Sequence, residues 1–168
     1  EAIGAFALYL QFNGDSAVAP ADTWWYAVFH SVSAYTGSGL DLMGDFQSFQ
    51  QQALRPLVLL TMILMIIPGD LGFLVVLDVM RNWRLKHLAM ESKLILWLNI
   101  ILWPSAALGF LVLESSNPET LGGMPFLHRL INSLFHAITV RNAGFSTVDF
   151  SHVGSLTLMF CSVFKINT

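Results

Sequence analysis

Two histidines stand at matching places in similar segments: His30 in FHSVSAYTGSGLDL, which starts at Phe29, and His136 in FHAITVRNAGFSTVD, which starts at Phe135. A metal site is the first chemistry such a pair suggests. No third ligand stands at metal spacing and H-E-x-x-H is absent, so both are expected to be packing residues of short helices. Gly37-Ser38-Gly39 is no phosphate loop, because no lysine follows and no strand–helix context surrounds it. The shared pattern is of another kind. Phe-His, a small and an aliphatic residue and a hydroxyl lead through polar and small residues to a glycine, Gly39 or Gly144. A large apolar residue follows, Leu40 or Phe145, and then an aspartate. Glycine permits close approaches and conformations that a β-carbon forbids. Such a stretch can turn several carbonyls toward one axis, and rings of carbonyls replace the hydration shell of a potassium ion. The carbonyls near Gly144 are therefore expected to be satisfied by cations.

The solvent around these segments follows from composition. Of 168 residues, 55% are hydrophobic and 11% charged, with mean hydropathy +0.63. Soluble domains carry about a quarter charged residues, so lipid is the expected surrounding. A net charge of −3 without a basic block excludes nucleic acid as a partner. The one cysteine, Cys161, excludes an internal disulfide and a CxxC metal site, and is expected to be a small apolar packing residue. No signal peptide is visible; EAIGAFALYLQF reads as the tail of a helix that starts upstream.

Two segments are long enough to cross a bilayer core, which takes roughly 20 helical residues. The first covers 54–79, with Pro56 near its start, where a missing N–H costs little. The second covers 93–114, with Pro104 as an expected kink. Between them lie Arg81, Arg84, Lys86 and Lys93, half of the chain's 8 basic residues. The positive-inside rule puts this loop in the cytoplasm. The flanking segments then face outside, with Asp15, Asp22, Asp41, Asp45, Glu114, Glu119 and Asp149. Two shorter apolar runs, 22–35 and 126–140, suit half-length helices, either interfacial or re-entrant. Asp22 is placed to cap the first, and Trp24 and Trp25 suit an aromatic belt. The recurring unit is outer helix, half-helix, glycine-bearing loop, inner helix. Irregular backbone at membrane depth is tolerated only where it is buried in protein or lines a water-filled cavity. Met43, Met62, Met65 and Met80 read as packing residues.

The segments VSAYTGSGLDL, LGFLVVLDVMRNW, ESKLILWLNIILW, ESSNPETLGG and FHAITVRNAGFSTVDF together resemble the Trk/Ktr/HKT superfamily of potassium transporters, most closely the bacterial Ktr/Trk membrane subunits. The resemblance covers nearly the whole chain. Its most specific part is E-x-x-N-P-x-T-L-G ahead of R-N-A-G-F-S-T-V-D. It implies an all-α polytopic membrane protein built from outer helix–re-entrant pore helix–filter loop–inner helix units around a pseudo-fourfold pore. Residues 1–80 would form the first unit, 81–92 the cytoplasmic basic loop, and 93–168 the second. Gly39 and Gly144 would be filter glycines, with Tyr35, Thr36, Gly37 and Ser38, and Val140, Arg141, Asn142 and Ala143, supplying the neighbouring backbone. In plant relatives a serine at the first filter glycine goes with sodium preference, so Gly39 leans toward potassium. The resemblance further implies K+ as the transported ion and no organic cofactor. It also implies a homodimer, a cytoplasmic ring of nucleotide-binding gating subunits, and a multi-pass place in the plasma membrane, the inner membrane in a bacterium.

Two residues depart from that pattern or strain against it. The first inner helix of the family carries G-G-x-G-F-P, where this chain reads Pro68-Gly69-Asp70-Leu71-Gly72-Phe73-Leu74. An acid at bilayer depth costs about 2.5–3.5 kcal/mol, so Asp70 needs water or a partner. Either it faces a cytoplasmic vestibule and attracts cations, or it is solvated near the loop and paired with Arg81 or Arg84. Arg141, three residues before Gly144, either repels potassium or braces the loop by bonding carbonyls and an acid such as Asp149; the resemblance favours the brace. His87 and His152 have no evident partner. The final run, GSLTLMFCSVFKINT, starts a third span that Lys165 interrupts, so the chain is expected to be a fragment, or a degenerate copy, of something larger. Two units cannot surround a four-sided filter alone. A polytopic enzyme is disfavoured, since no acid cluster or nucleophile with base lies at membrane depth. The competing reading is a non-conducting remnant or interaction protein with the family fold.

Overall fold

The computed structural model describes residues 1–13, 21–44, 48–82 and 87–165. Asp15, Asp45, Arg84 and Lys86, counted above for orientation, lie outside the described residues. Every regular element among the described residues is helical: α1 (Ala2–Phe12), α2 (Thr23–Thr36), a 3-10 turn (Gln50–Gln52), α3 (Pro56–Leu71), α4 (Phe73–Arg81), α5 (Met90–Glu114), α6 (Phe126–Thr139) and α7 (Ser155–Lys165).

Helix α3 is the hub, touching α1, α2 and α6, while α5 carries α6 and α7. The main apolar cluster joins Leu8 and Phe12 of α1, Ala34 of α2, Met62 and Ile66 of α3, and Phe135 and Ile138 of α6. Lipid tails are as apolar as these side chains, so close packing and hydrogen bonds, rather than water exclusion, hold such helices together. Small residues let a neighbouring side chain seat directly on the helix backbone. A β-carbon on Gly4 would lie 2.2 Å from Met65 Sδ of α3, and one on Gly109 2.2 Å from Phe160 of α7. Met62 and Met65 are buried, Met43 packs against the cluster, and Met80 is exposed. Cys161 is half-buried beside Phe110 and Val153.

The second expected span is one 25-residue helix, α5. At 1.5 Å per residue it measures roughly 37 Å, more than a bilayer core. It runs on through Pro104 without a break, and Leu94, Trp97, Ile101 and Val112 are exposed along it. The first expected span is corrected. Residues 54–79 are not one helix; α3 and α4 meet at Gly72 and are bent by 98°. Gly72 has φ 80 and ψ 150, a conformation essentially closed to residues with a β-carbon. The two short runs form α2 and α6, within a residue of the expected limits at each end. Asp22 holds the N-cap position of α2, but its side chain makes no capping bond. Trp24 and Trp25 are exposed on its first turn.

Candidate ion filter

Helices α2 and α6 end in loops closed by corresponding bonds. Gly37 ends α2 in the left-handed region, and Ser38 N–H reaches back to the Ser33 carbonyl at 3.1 Å. Gly144 N–H makes the same five-residue reach to the Thr139 carbonyl at 2.7 Å. The hydroxyl three residues after each histidine then clasps the carbonyl that follows the key glycine. Ser33 Oγ donates to Leu40 at 2.7 Å and Thr139 Oγ1 to Phe145 at 3.0 Å. Each histidine touches the residue two further on. Leu42 N–H donates to His30 Nε2 at 3.3 Å, and His136 Nε2 meets Thr147 Oγ1 at 3.0 Å. His30 Nδ1–H donates to the Tyr26 carbonyl at 2.7 Å, which leaves Nε2 as the acceptor. His136 stacks on Phe110 at 4.7 Å.

The two loops meet. A β-carbon on Gly39 would lie 1.8 Å from the Ala143 carbonyl oxygen, and one on Gly37 2.6 Å from Asn142 Oδ1. Gly39 and Gly144 have φ of 66 and 78, which glycine alone adopts freely. A strap fixes the second loop to chain that follows the first, with Phe49 N–H donating to the Ser146 carbonyl at 2.8 Å and Ser146 N–H to Ser48 Oγ at 3.2 Å. Among the described residues, the carbonyls of Gly37, Ser38, Gly39, Asn142, Ala143 and Gly144 accept no hydrogen bond. Ala143 is buried, Gly37 and Gly39 are half-buried, and Ser38, Asn142 and Gly144 are exposed, so most of these residues are open to water or an ion.

Behind the loops, Arg141 does act on a neighbouring acid, though on a different one from Asp149. Its Nη1 lies 3.8 Å from Asp70 Oδ2, with both side chains nearly fully buried, and also donates to Asn99 Oδ1 on α5. Asp149 instead accepts from Ser151 N–H at 2.9 Å and Ser151 O–H at 2.6 Å. These bonds, the hydroxyl's first, hold its carboxyl below the usual carboxylate range. His152, expected to have no partner, pairs with Glu119 at 2.7 Å and approaches Asp149 at 4.0 Å.

One functional candidate was quoted in sequence without a role. Glu114, at the end of α5, is buried and accepts from Thr120 at 2.6 Å, Asn117 at 3.0 Å, Gly154 N–H at 3.0 Å and Thr157 at 2.5 Å. The carboxylate is saturated without a cation and ties α5, the loop after it and the first turn of α7 into one knot. Its signal was the E-x-x-N-P-x-T spacing. Nothing in the sequence singled out Asn99. Among the described residues, no three His, Cys, Asp or Glu are grouped to hold a metal ion.

Residues 5–164 match the family TrkH, described as cation transport protein. The chain is similar to the Ktr system potassium uptake protein B of Bacillus subtilis, 36% identical over 134 residues, which cover 80% of this chain and 30% of that protein. It is also similar to the potassium/sodium uptake protein NtpJ of Enterococcus hirae, 32% identical over 163 residues, with 95% of this chain and 35% of that one covered. The Ktr system potassium uptake protein B of Vibrio alginolyticus is 32% identical over 144 residues, or 84% and 31% of the two chains. The chain spans about a third of the length of these relatives.

Proposed function

This chain belongs to the TrkH family of cation transport proteins, and from that premise we propose that it supplies two loops of a potassium-selective filter. Gly39 and Gly144 are the filter glycines of that reading. Tyr35, Thr36, Gly37 and Ser38, with Val140, Arg141, Asn142 and Ala143, form the flanking backbone. The observation that carries it is the pair of glycine loops in contact, with carbonyls that no donor of the described chain satisfies. Carbonyl dipoles fixed in place replace water around a dehydrated cation, and the clasps from Ser33 and Thr139 stop the backbone from rotating them away.

The rest of the transporter follows as part of the same proposal. Helices α2 and α6 are re-entrant pore helices, and the units they open are two of four around a pseudo-fourfold axis. The loop 81–92 faces the cytoplasm and the filter loops face outside, in the plasma membrane. K+ is the cargo, and the relatives' names, potassium uptake and potassium/sodium uptake, support a monovalent cation. A homodimer on a cytoplasmic nucleotide-binding ring is the assembly the family resemblance implies. Asp70 is assigned first to the pairing with Arg141, because its carboxylate is buried against that guanidinium; a share in a cytoplasmic vestibule would show as lower conductance at low salt in Asp70→Asn. The test of function is rubidium uptake into proteoliposomes holding the protein together with the units that complete the four-sided filter. Uptake that potassium suppresses more strongly than sodium supports the proposal. Vesicles no different from protein-free controls point to the non-conducting reading.

A further inference from the structure

The last turn of α3, Pro68-Gly69-Asp70, touches both glycine loops. A β-carbon on Gly69 would lie 1.9 Å from the Tyr35 carbonyl oxygen, so the helix backbone is pressed against the last turn of α2, from which the first loop leaves. The next residue, Asp70, faces the second loop through Arg141, at 3.8 Å, with side-chain exposures of 3% and 9%. Neither Asp70 Oδ2 nor Arg141 Nε has a hydrogen-bond partner among the described residues. The two charges face each other, with Asn99 beside Arg141 and the Trp103 side chain beside Asp70.

We propose that Asp70 is a positioning residue for cation passage: its carboxylate neutralises Arg141 and, with Asn99, holds that guanidinium against α3 and α5, so that the second loop offers carbonyls rather than a positive charge to a passing ion. The inference rests on the filter reading above. Removing one partner of a buried pair leaves the other charge uncompensated. An unpaired guanidinium three residues from Gly144 then opposes every cation that enters. At the effective dielectric of a protein, opposition over several ångströms weakens cation affinity by about tenfold or more. Asp70 stands where the family pattern has a glycine, so this pairing adjusts the chain's own filter.

The experiment compares Asp70→Asn, Asp70→Glu, Arg141→Gln and the double variant Asp70→Asn/Arg141→Gln in purified protein. Two readouts are taken: the concentration dependence of rubidium uptake into proteoliposomes, and the rise in melting temperature that K+ produces over choline in detergent. Asp70→Asn is expected to raise KM for rubidium about tenfold, with a smaller effect on maximal rate. Asp70→Glu should stay near wild type, and the double variant should return KM to within about threefold of it. The K+-dependent stabilisation should follow the same order. A merely structural role lowers folded yield and maximal rate with KM unchanged, and leaves the double variant no better than Asp70→Asn; that result overturns the proposal. If Asp70→Asn does not fold, recovery of folding and of KM in the double variant supports the pairing, and failure to recover either overturns it. Absence of uptake by the wild-type protein refutes the transport reading alone. The pairing is then decided by K+-dependent melting, where the same order of variants supports it and no order overturns it.

Discussion

The carbonyl oxygen of Ala143 stands where a β-carbon on Gly39 would have to go, 1.8 Å away. The first loop thus reaches the second through the absence of a side chain, and the two positions respond differently to the same substitution. Gly39→Ala forces backbone apart and also strains a residue at φ 66, whereas a β-carbon on Gly144 meets nothing within 4 Å and suffers only its φ of 78. The strain alone costs roughly 1–2 kcal/mol. Gly144→Ala is expected to fold with a loss of that size, and Gly39→Ala to lose several-fold more ion selectivity. Thermal unfolding in detergent and potassium-over-sodium competition for rubidium uptake measure both.

Ser33 and Thr139 hold the carbonyls of Leu40 and Phe145. Thr139→Val removes one neutral hydrogen bond, about 1 kcal/mol of stability, and Ser33→Ala removes two, those with Leu40 and Ser38. Each is expected to lower discrimination between potassium and sodium while uptake continues, and Thr139→Ser to preserve it. Equal discrimination in wild type and Thr139→Val would show that the clasps do not set carbonyl geometry.

Glu114→Gln puts an amide among four donors that now converge on a carboxylate. The amide nitrogen accepts none of them, so the donors that face it lose their charged acceptor. Charge-assisted bonds contribute about 1.5–3 kcal/mol each. The variant is expected to melt well below wild type, and its loss to be additive with Ser33→Ala, which lies in α2. An unchanged melting temperature would remove Glu114 from the account.

Gly72→Ala meets no atom within 4 Å, yet it must adopt φ 80 and ψ 150. The expected cost is about 1–3 kcal/mol, and relief comes by changing the angle between α3 and α4. Spin labels on Leu64 and Met80, both exposed, should report a changed distance in the variant and the same distance in Gly44→Ala.

The helices were legible in sequence where an apolar run had marked ends. Expected limits of 22–35, 126–140 and 93–114 became Thr23–Thr36, Phe126–Thr139 and Met90–Glu114. The break at Gly72 was not, because hydropathy counts how apolar a run is and is blind to the direction of its backbone. Gly39 and Gly144 were singled out through the likeness of two segments. The hydroxyls of Ser33 and Thr139 were part of that likeness, although their bonds depend on where each chain returns. Arg141 was read as a brace, but its partner Asp70 lies far off in sequence, and nothing local distinguishes it from Asp149. Glu114 was quoted within a motif, while two of its donors, Gly154 and Thr157, come from beyond the second loop.

The central claim is that Gly39 and its partner loop select the cation. Its most direct test is rubidium uptake into proteoliposomes by wild-type protein and Gly39→Ser, with potassium or sodium as competitor. Wild-type uptake is expected to be suppressed far more by potassium, and the preference to fall sharply in Gly39→Ser, whose β-carbon also lowers its melting temperature. Potassium and sodium competing equally in both proteins, or a preference that Gly39→Ser leaves untouched, would contradict it.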